Sequence, residues 1–487
     1  DILVASNVSQ NAETDAYGLT VALVGGGVIR GLADASGYIS TEVGRNIDLV
    51  AGNNLSVIST VNGDAETFAT APGGGILNFI GTRADSHASF DSSSMISSVS
   101  NLNVGGTTLV ETISNRNSNA EIDAFNLSLG VAIGATKANA YSEGKTTASV
   151  MGKINQTKDL IINANDNNIT SSRAKSTEFG LISGAGVKSK VHVNPIVKSE
   201  LSSSVNSAGN IDITSNSVST VQAHAQTLGG SVLGAGRTES TVEASPIVTS
   251  KLGSNANVTA TGDLNLSADQ SLDTLTGWTD TVTGEGGQTG IGLSGIALNL
   301  DASANPLVTA KIQTGASVVD VQDLRITSST DNHLTAMDKS YSIGGLLSGG
   351  KSKSNVQSGG TVISAVNGTI GKVDDVNISA SATGLATAES TAGRYSLGIG
   401  LGGANTNTTV DHQVAARLNS DVSASGDVTL SAASLGDADS NSKGVTVTGL
   451  AGVGTCVKKV PQSLCVALSH CQEHWCCAVA VLHIRVR

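Results

Sequence analysis

A short pattern recurs eight times along this chain: a branched aliphatic residue, any residue, then another branched aliphatic residue. Successive copies begin 55, 58, 51, 53, 60, 52 and 52 residues apart. A unit of this length, copied over most of a chain, indicates a repeat protein whose units bury their apolar faces only by stacking on their neighbours. The copies are Ile47-Asp48-Leu49, Leu102-Asn103-Val104, Leu160-Ile161-Ile162, Ile211-Asp212-Ile213, Leu264-Asn265-Leu266, Leu324-Arg325-Ile326, Val376-Asn377-Ile378 and Val428-Thr429-Leu430.

A proline slot keeps the same register and supports the repeat. Pro195, Pro246 and Pro306 are separated by 51 and 60 residues, and Gly360 and His412 continue the series. Proline is tolerated at the first residue of a strand, where no ladder donor is required. We therefore expect a strand to start at this slot.

The composition predicts a thin core. Aromatic residues make up 2% of the chain and charged residues 14%, which leaves too few large side chains for a thick globular core. Small and β-branched residues can instead fill the space between two closely spaced sheets. Regular alternation, as in Val221-Gln222-Ala223-His224-Ala225, argues against disorder.

The unit Ile211 to Asp263 divides into short alternating runs separated by turn signals, with almost no helical pattern. The predicted strands are 211–215, 218–228, 231–236, 238–244, 246–252 and 256–261. Units also carry a glycine-spaced apolar run, which predicts close backbone contacts stacked along the long axis. These runs are Gly18 to Gly27, Leu127 to Gly134, Gly180 to Gly186, Gly290 to Ile296, Ile343 to Gly350 and Leu397 to Gly403.

Parallel coils stacked about 4.8 Å apart would pair every backbone group with a neighbouring coil and align like side chains in ladders. The predicted fold class is all-β, a parallel β-solenoid (β-helix) of about eight repeats of 51–60 residues. We favour two coils of about 26 residues in each repeat, which gives roughly sixteen to eighteen coils and a rod of roughly 80 Å. One large flattened coil per repeat is the alternative.

The cadence Gly426-Asp427-Val428-Thr429-Leu430, the glycine run from Leu397 to Gly403 and the Asn/Ser-Pro-Ile-Val slot resemble repeats of very large bacterial surface proteins. The nearest in style are leukotoxin-type filamentous adhesins and haemagglutinin-like exoproteins. The resemblance covers residues 1–454. It implies a secreted, right-handed β-solenoid that forms a rod or fibre, and it brings no catalytic residues with it.

We divide the chain into a repetitive body, residues 1–454, and a non-repetitive tail, residues 455–487. The tail abandons the Gly/Ser/Asn/Thr cadence and holds all five cysteines, Cys456, Cys465, Cys471, Cys476 and Cys477. A shifted reading frame or an error in the gene model would produce such a break. The chain opens on repeat material without a signal peptide, so we expect an internal segment of a longer exported protein.

The charge limits the partners. The net charge is −12, and the tail contributes four cationic residues and one glutamate, or +3, so the body carries about −15. An acidic body disfavours nucleic acid, which needs a basic face. No apolar stretch reaches 18 residues, so we expect no membrane insertion of this segment. The partners we expect are further copies joined end to end into filaments and, second, cell-surface or matrix polysaccharide.

Two groups of residues resemble metal sites. In the tail, Cys465, Cys471, His474, Cys476 and Cys477 have irregular spacing for zinc. In the body, Asp263, Asp323, Asp375 and Asp427 each precede the repeated pattern. We interpret these aspartates as turn residues that cap their own backbone rather than as a calcium ladder. We predict no metal ligands and no cofactor.

The densest group that could cleave a polysaccharide is Asp331, His333, Asp338 and Lys339, in a stretch we interpret as a solvated loop. We therefore predict no catalytic residues and no enzyme. Thr446-Val447-Thr448 and Thr279 to Thr283 do not recur at a fixed register, which disfavours a surface-ordering threonine face. The predicted function is a structural, extracellular rod or fibre segment of a bacterial adhesin. A carbohydrate- or surface-binding module is the alternative, with Trp278 the one tryptophan of the body, and a polysaccharide-cleaving β-helix is third.

Overall fold

The computed structural model describes residues 1–98, 101–275, 281–448, 451–459 and 479–485. Over these residues the chain forms strands and no helix. Each repeat makes one complete coil, and neighbouring coils pair in parallel at an offset of one whole repeat. Ile2 pairs with Leu55, Leu55 with Thr108, and Thr108 with Leu160. The predicted all-β parallel solenoid is thus confirmed, whereas its right-handed winding stays a prediction.

The described residues contain eight complete coils and part of a ninth. The strands are β1 Ile2–Tyr17, β2 Thr20–Val43, β3 Asp48–Ala51, β4 Leu55–Ile96, β5 Asn101–Val104, β6 Thr108–Val150, β7 Lys153–Gln156, β8 Leu160–Phe179, β9 Ile182–Leu201, β10 Ser204–Ala208, β11 Ile211–Ala244, β12 Ile247–Leu252, β13 Asn257–Ala260, β14 Leu264–Thr274, β15 Val282–Ala304, β16 Leu307–Ile312, β17 Ser317–Asp320, β18 Asp323–Gly344, β19 Leu347–Val366, β20 Thr369–Val373, β21 Asp375–Ser396, β22 Ile399–Leu418, β23 Val422–Ala424, β24 Asp427–Thr448, β25 Ala451–Lys459 and β26 Val479–Arg485.

Each coil has four parts. An outgoing strand runs to a glycine-rich bend, which we call the apex, and a return strand runs back across from it. A short strand then closes the coil before the next one begins. The outgoing and return strands form two layers that face each other. The closing strands β3, β5, β7, β10, β13, β17, β20 and β23 form a separate sheet of eight parallel strands.

Alternation of side chains fills the space between the layers. In β4, Leu55, Val57 and Val61 are fully buried, and the residues between them face outward. Near the closing sheet the interior is a continuous aliphatic core of valine, leucine and isoleucine. Toward the apex the interior changes to a second core that is rich in alanine. Smaller side chains there allow the two layers to converge.

The thin core is confirmed by hydrogen bonds that cross from one layer to the other. The Thr67 hydroxyl donates to the Asp85 carbonyl oxygen at 2.7 Å, and the Ser240 hydroxyl donates to the Thr283 carbonyl oxygen at 2.7 Å. A serine or threonine hydroxyl lies one or two bonds from its own backbone. It can therefore reach the opposite backbone only where the two layers are very close.

The preference for two coils per repeat was wrong, and the alternative of one large flattened coil is what the structure shows. The coils stack at about 4.8 Å each to roughly 40 Å. An outgoing strand of some twenty residues spans roughly 65 Å at about 3.3 Å per residue. The body is thus a flat slab that is wider across each coil than it is tall, not a rod of sixteen to eighteen coils.

The register of the repeated pattern is confirmed for its last six copies. Ile211 pairs with both Leu160 and Leu264, and the column continues through Leu324, Val376 and Val428. The first two copies were assigned to the wrong element, because Leu49 and Leu102 pair with each other in the closing sheet. The outgoing strands of the first three coils start instead at Ile2, Leu55 and Thr108.

The repeat of 60 residues is explained by an insertion on one outgoing strand. Thr274 and Val282 pair with Val221 and Ala223 of the previous coil. Eight steps along the sixth coil therefore match two steps along the fifth. The sixth coil thus has six additional residues between Thr274 and Val282, and the register is the same on either side of them.

The proline slot marks a bend in the return layer. The strands β12 and β16 begin directly after Pro246 and Pro306, so the expected strand start is confirmed in these coils. Pro195 lies inside the continuous strand β9, so the expectation fails there. In other coils the slot is taken by Gly144 and Gly360, with φ of 126° and 136°, a conformation that glycine adopts readily.

The glycine runs place neighbouring coils in close contact at the apex, as the sequence predicted. A Cβ added to Gly345 would lie 1.7 Å from the Ile291 carbonyl oxygen, and one added to Gly398 would lie 2.1 Å from the Leu346 carbonyl oxygen. Any side chain at these glycines would therefore push the next coil away.

The parallel pairing continues past Gly454, the last residue we assigned to the repetitive body. The strand β25 pairs with β22 from Ala451 to Lys459. The strand β26 is antiparallel to β24. Most of the tail, residues 460–478 and 486–487, lies outside the described residues.

Candidate functional site

The aspartate slot before each outgoing strand forms a ladder between coils, which we call the corner ladder. At five of these slots a side-chain oxygen accepts a hydrogen bond from a backbone N–H one coil further on. The Asp375 carboxylate accepts from the N–H of Asp427 at 2.7 Å. The same link joins Asp1 to Asn54, Asn54 to Thr107, Asp159 to Asn210 and Asn210 to Asp263, at 2.9–3.1 Å.

The corner ladder corrects our interpretation of these aspartates in one respect. Asp375 caps the backbone of the next coil rather than its own. Arg325 forms ion pairs with the carboxylates of Asp263 and Asp323, at 3.8 and 3.1 Å, so an arginine rather than a metal ion neutralises these two aspartates. Within the described ranges no three His, Cys, Asp or Glu side chains gather as a metal site. The tail residues Cys465, Cys471, His474, Cys476 and Cys477 lie outside those ranges, as does Trp278.

The four residues considered for polysaccharide cleavage are not brought together in one cleft. Asp331 and His333 lie on the outer face of β18 and contact each other at 3.2 Å. Lys339 faces outward as well, but Asp338 faces the interior and is fully buried. The stretch is a regular strand rather than the solvated loop we expected. Residues of opposite parity on one strand lie on opposite faces of the sheet, so the four cannot act on one substrate.

Asp338 belongs to a buried polar cluster instead. Its carboxylate accepts hydrogen bonds from the hydroxyls of Ser354 at 2.6 Å and Ser390 at 2.9 Å. Burial raises the pKa of Asp338 to about 6, and the hydroxyls oppose that rise only in part. Arg394 donates nearby to the carbonyl oxygen of Ser340, and burial lowers the pKa of Arg394 to about 10. This cluster lies between the layers, so it contributes to packing rather than to contact with a ligand.

A row of rings runs along the outer face of the return layer. His87 and Tyr141 stack with centroids 4.4 Å apart and planes inclined by 19°, and His192 continues the row at 6.2 Å from Tyr141. His192 also contacts the carboxylates of Glu143 and Glu243 at 3.5 and 3.3 Å. The stacked rings of His87 and Tyr141 face each other along the axis. They present their edges to solvent, whereas a sugar-stacking platform presents an open ring face.

No continuous threonine face is formed where we considered one. Thr446 and Thr448 pair with Arg394 and Ser396 in the coil below, so the column is not made of threonine. Of the segment Thr279 to Thr283, the first two residues lie outside the described ranges. Thr283 pairs with His224 on one side and Met337 on the other.

The apex carries the feature that sequence reasoning missed, a ridge of exposed apolar side chains. We define the apex by residues 16–29, 69–82, 124–136, 179–187, 227–236, 286–300, 340–350 and 395–410, one segment for each of the first eight coils. None of these segments contains Asp, Glu, Lys or Arg. The side chains at the tip of each bend are Leu23, Ile76, Leu129, Leu181, Val232, Ile291, Leu346 and Leu397, and they are 37–81% exposed.

A buried carboxyl lies beneath the ridge. Glu178 is 1% exposed, and the Ser176 hydroxyl donates to its carboxylate at 2.8 Å. Burial raises the pKa of Glu178 to about 7, and hydrogen bonds from Ser176 and Asn126 counteract that rise only in part. The ridge is therefore free of charge on its surface and has a titratable carboxyl just inside it.

Two open grooves lie at or beside this ridge. One of about 460 Å³ crosses the apex of the fourth to seventh coils and is lined by Gly180, Ser231, Val232, Thr289, Gly290, Ile291 and Ile343. The other, of about 450 Å³, is lined by Gly350, Lys351 and residues 401–405. Neither lining contains a carboxylate or an imidazole, the groups that general acid–base catalysis uses most often.

Comparison with protein-family models, with curated proteins and with solved structures found no match to this chain. In the described ranges there is also no helix of the length and apolar character needed to cross a membrane.

Proposed function

We propose that this chain is a structural segment of a large, secreted bacterial surface adhesin, in which stacked coils form part of a rod or fibre. One observation carries the proposal. Eight complete coils and part of a ninth stack in parallel register, and side-chain ladders join neighbouring coils. The 42-residue strand β4 pairs along most of its length with β6, and these bonds run parallel to the stacking axis.

Ladders of like residues reinforce the axis. Asn115 accepts a hydrogen bond from Asn167 at 2.9 Å and donates one to Asn62 at 2.8 Å. Asn407 donates to Asn355 at 2.7 Å in a second ladder. These contacts hold coil to coil and create no concave site for a ligand. The carbohydrate-binding and polysaccharide-cleaving alternatives have no comparable support, since the ring row shows its edges and the candidate acids are on opposite faces.

The first coil supports end-to-end association as part of the same proposal. In the first coil, Val4 and Val8 point inward but are only half-buried, while their register partners Val57 and Val61 are fully buried. A further coil placed on β1 and β2, from a second copy or from additional repeats, would bury these side chains and pair the open strand edges.

Force spectroscopy on the full chain, pulled by its two ends, tests the mechanical role. Coils that detach one at a time should give repeated extensions of about 53 residues each, or roughly 180 Å at about 3.4 Å per residue. Extension without resistance, or in a single step for the whole body, would overturn a mechanical role. Extracellular location is tested with an antibody against the chain on intact cells of its source. Labelling that needs permeabilised cells would refute that location.

A further inference from the structure

The apex ridge has the properties of a contact surface rather than of ordinary solvated surface. Soluble monomers rarely expose contiguous apolar patches larger than a few hundred Å². Here apolar side chains recur at the tip of eight successive coils, and Leu129, Ile291 and Leu397 are each about four-fifths exposed. Coil stacking at about 4.8 Å joins them into a strip roughly 40 Å long.

We propose that two copies of this chain pair side by side through their apex ridges. The strip is about one sheet spacing wide, roughly 10 Å, so it offers about 400 Å² on each copy, which is the size of a weak and reversible interface. Pairing through the apex is distinct from the end-to-end stacking of the proposed fibre and does not depend on it.

The charge distribution favours a second copy over other occupants. The body carries about −15 and the apex segments carry no charged residue. Two acidic bodies that meet at the apex keep their carboxylates apart, whereas contact through the outer faces of the layers would bring like charges together. An anionic membrane would repel the acidic body.

The periodicity also favours a second copy. Tip side chains project from every coil, so they form a continuous row in which neighbours lie about 4.8 Å apart. A second copy has the same spacing, so its tips can lie coil against coil along the full length of the row. Such a contact uses the same surface on both partners and closes at two subunits, as isologous dimers do.

The test is sedimentation equilibrium of the full chain, with reductant present because the tail holds five cysteines. The wild type is expected to form a dimer at micromolar concentration. The apex variant L129E/I291E/L397E places three carboxylates in the contact, and its dimer dissociation constant should rise at least about 100-fold, since like charges face each other there.

The matched control is I169E/V319E/L435E, which changes three side chains that are 45–60% exposed on other faces. It should dimerise as the wild type does, and both variants should keep the wild-type circular dichroism spectrum. A wild type that stays monomeric at high concentration would overturn the proposal. So would an apex variant that dimerises normally, or a control that loses the dimer equally.

Lipid binding and end-to-end stacking are each distinguished from side-by-side pairing by a measurement of their own. Flotation with phosphatidylcholine vesicles should leave the protein in the aqueous fraction. If it floats, and L129E/I291E/L397E does not, the ridge binds lipid and the proposal fails. End-to-end stacking gives species whose mass grows without limit as concentration rises, and the apex variant should leave that growth unchanged. Loss of all association in the apex variant would show that the two contacts are not separate.

Discussion

Arg116 and Asp166 form an ion pair between the third and fourth coils, and both side chains are completely shielded from solvent. The Arg116 guanidinium also donates to the Phe90 carbonyl oxygen at 2.9 Å, and the Thr146 hydroxyl lies 3.2 Å from the Asp166 carboxylate. A charge in this position is tolerated only because its partner and these dipoles compensate it. The pair therefore links the interior of the third coil to that of the fourth.

Removal of the arginine alone should be costly. R116M leaves the Asp166 carboxylate buried without its counter-ion, and we expect a loss of about 3–5 kcal/mol in the free energy of unfolding. The double variant R116M/D166L removes both charges and should recover most of that loss. Urea denaturation of the three proteins measures this. A double variant as unstable as R116M would show that the pair is not what R116M disrupts.

The carboxyl beneath the apex gives a pH dependence of defined sign. The pKa of Glu178 is about 7 in the folded protein, against 4.5 without its surroundings. The folded state therefore binds the proton more tightly, so its stability is greatest below pH 4.5 and falls as the pH rises to about 7. The side chain of E178Q cannot ionise. As the pH rises from 4.5 to 7, the free energy of unfolding of E178Q should therefore increase by about 3 kcal/mol relative to that of the wild type. A constant difference across the range would contradict the assignment.

Glu200 gives a control in which stability changes with pH in the opposite direction. Burial alone would raise its pKa, but hydrogen bonds from Lys198, Lys251 and Ser202 outweigh that effect and hold the pKa at about 2. The contribution of Glu200 to the free energy of unfolding is present above pH 4.5 and is lost as the pH falls toward 2. E200Q should therefore lose stability relative to the wild type at neutral pH and approach it in acid.

The corner ladder predicts that an amide can replace a carboxylate. D375N keeps an oxygen that can accept from the Asp427 N–H, as Asn210 does for Asp263, and should change stability little. D375A removes the acceptor and should cost about 1 kcal/mol. Calcium should leave the thermal midpoint of the wild type unchanged. A midpoint that rises with calcium in the wild type and not in D375N would show a cation site instead.

The apex glycines predict a steric effect. G345A places a Cβ within 1.7 Å of the Ile291 carbonyl oxygen, whereas G52A places one where no atom lies within 4 Å. We expect G345A to destabilise by several kcal/mol, because a whole coil must move, and G52A to remain within about 0.5 kcal/mol of wild type. Thermal melts of the two variants decide this, and equal midpoints would contradict coil contact at the apex.

The fold class could be predicted because a fixed offset forces ladders, and the column from Leu160 to Val428 shows it. The size of the coil could not. Apolar and polar residues alternate in the same way in one long strand as in several short ones. The breaks predicted near residues 216 and 237 therefore lie inside the continuous strand β11. Leu49 and Leu102 were misassigned because closing and outgoing strands share one pattern of branched residues.

The exposed ridge could not be predicted for a different reason. Leu129 and Leu397 stand among glycines, and an apolar residue in a glycine run normally indicates burial. At a tight bend the interior has no room for a leucine, so these side chains project outward. Asp338 was misjudged because a charged residue usually faces solvent, and only the serines of neighbouring strands show how it is accommodated inside.

One distance tests the central claim of one coil per repeat most directly. Ser56 and Asn377 face outward in the same column of the second and eighth coils. Spin labels there, attached through unnatural residues so that native cysteines stay unlabelled, should lie six coil steps apart, or about 29 Å by double electron–electron resonance. Two coils per repeat would place the labels about 58 Å apart, and a distance near that value would contradict the account.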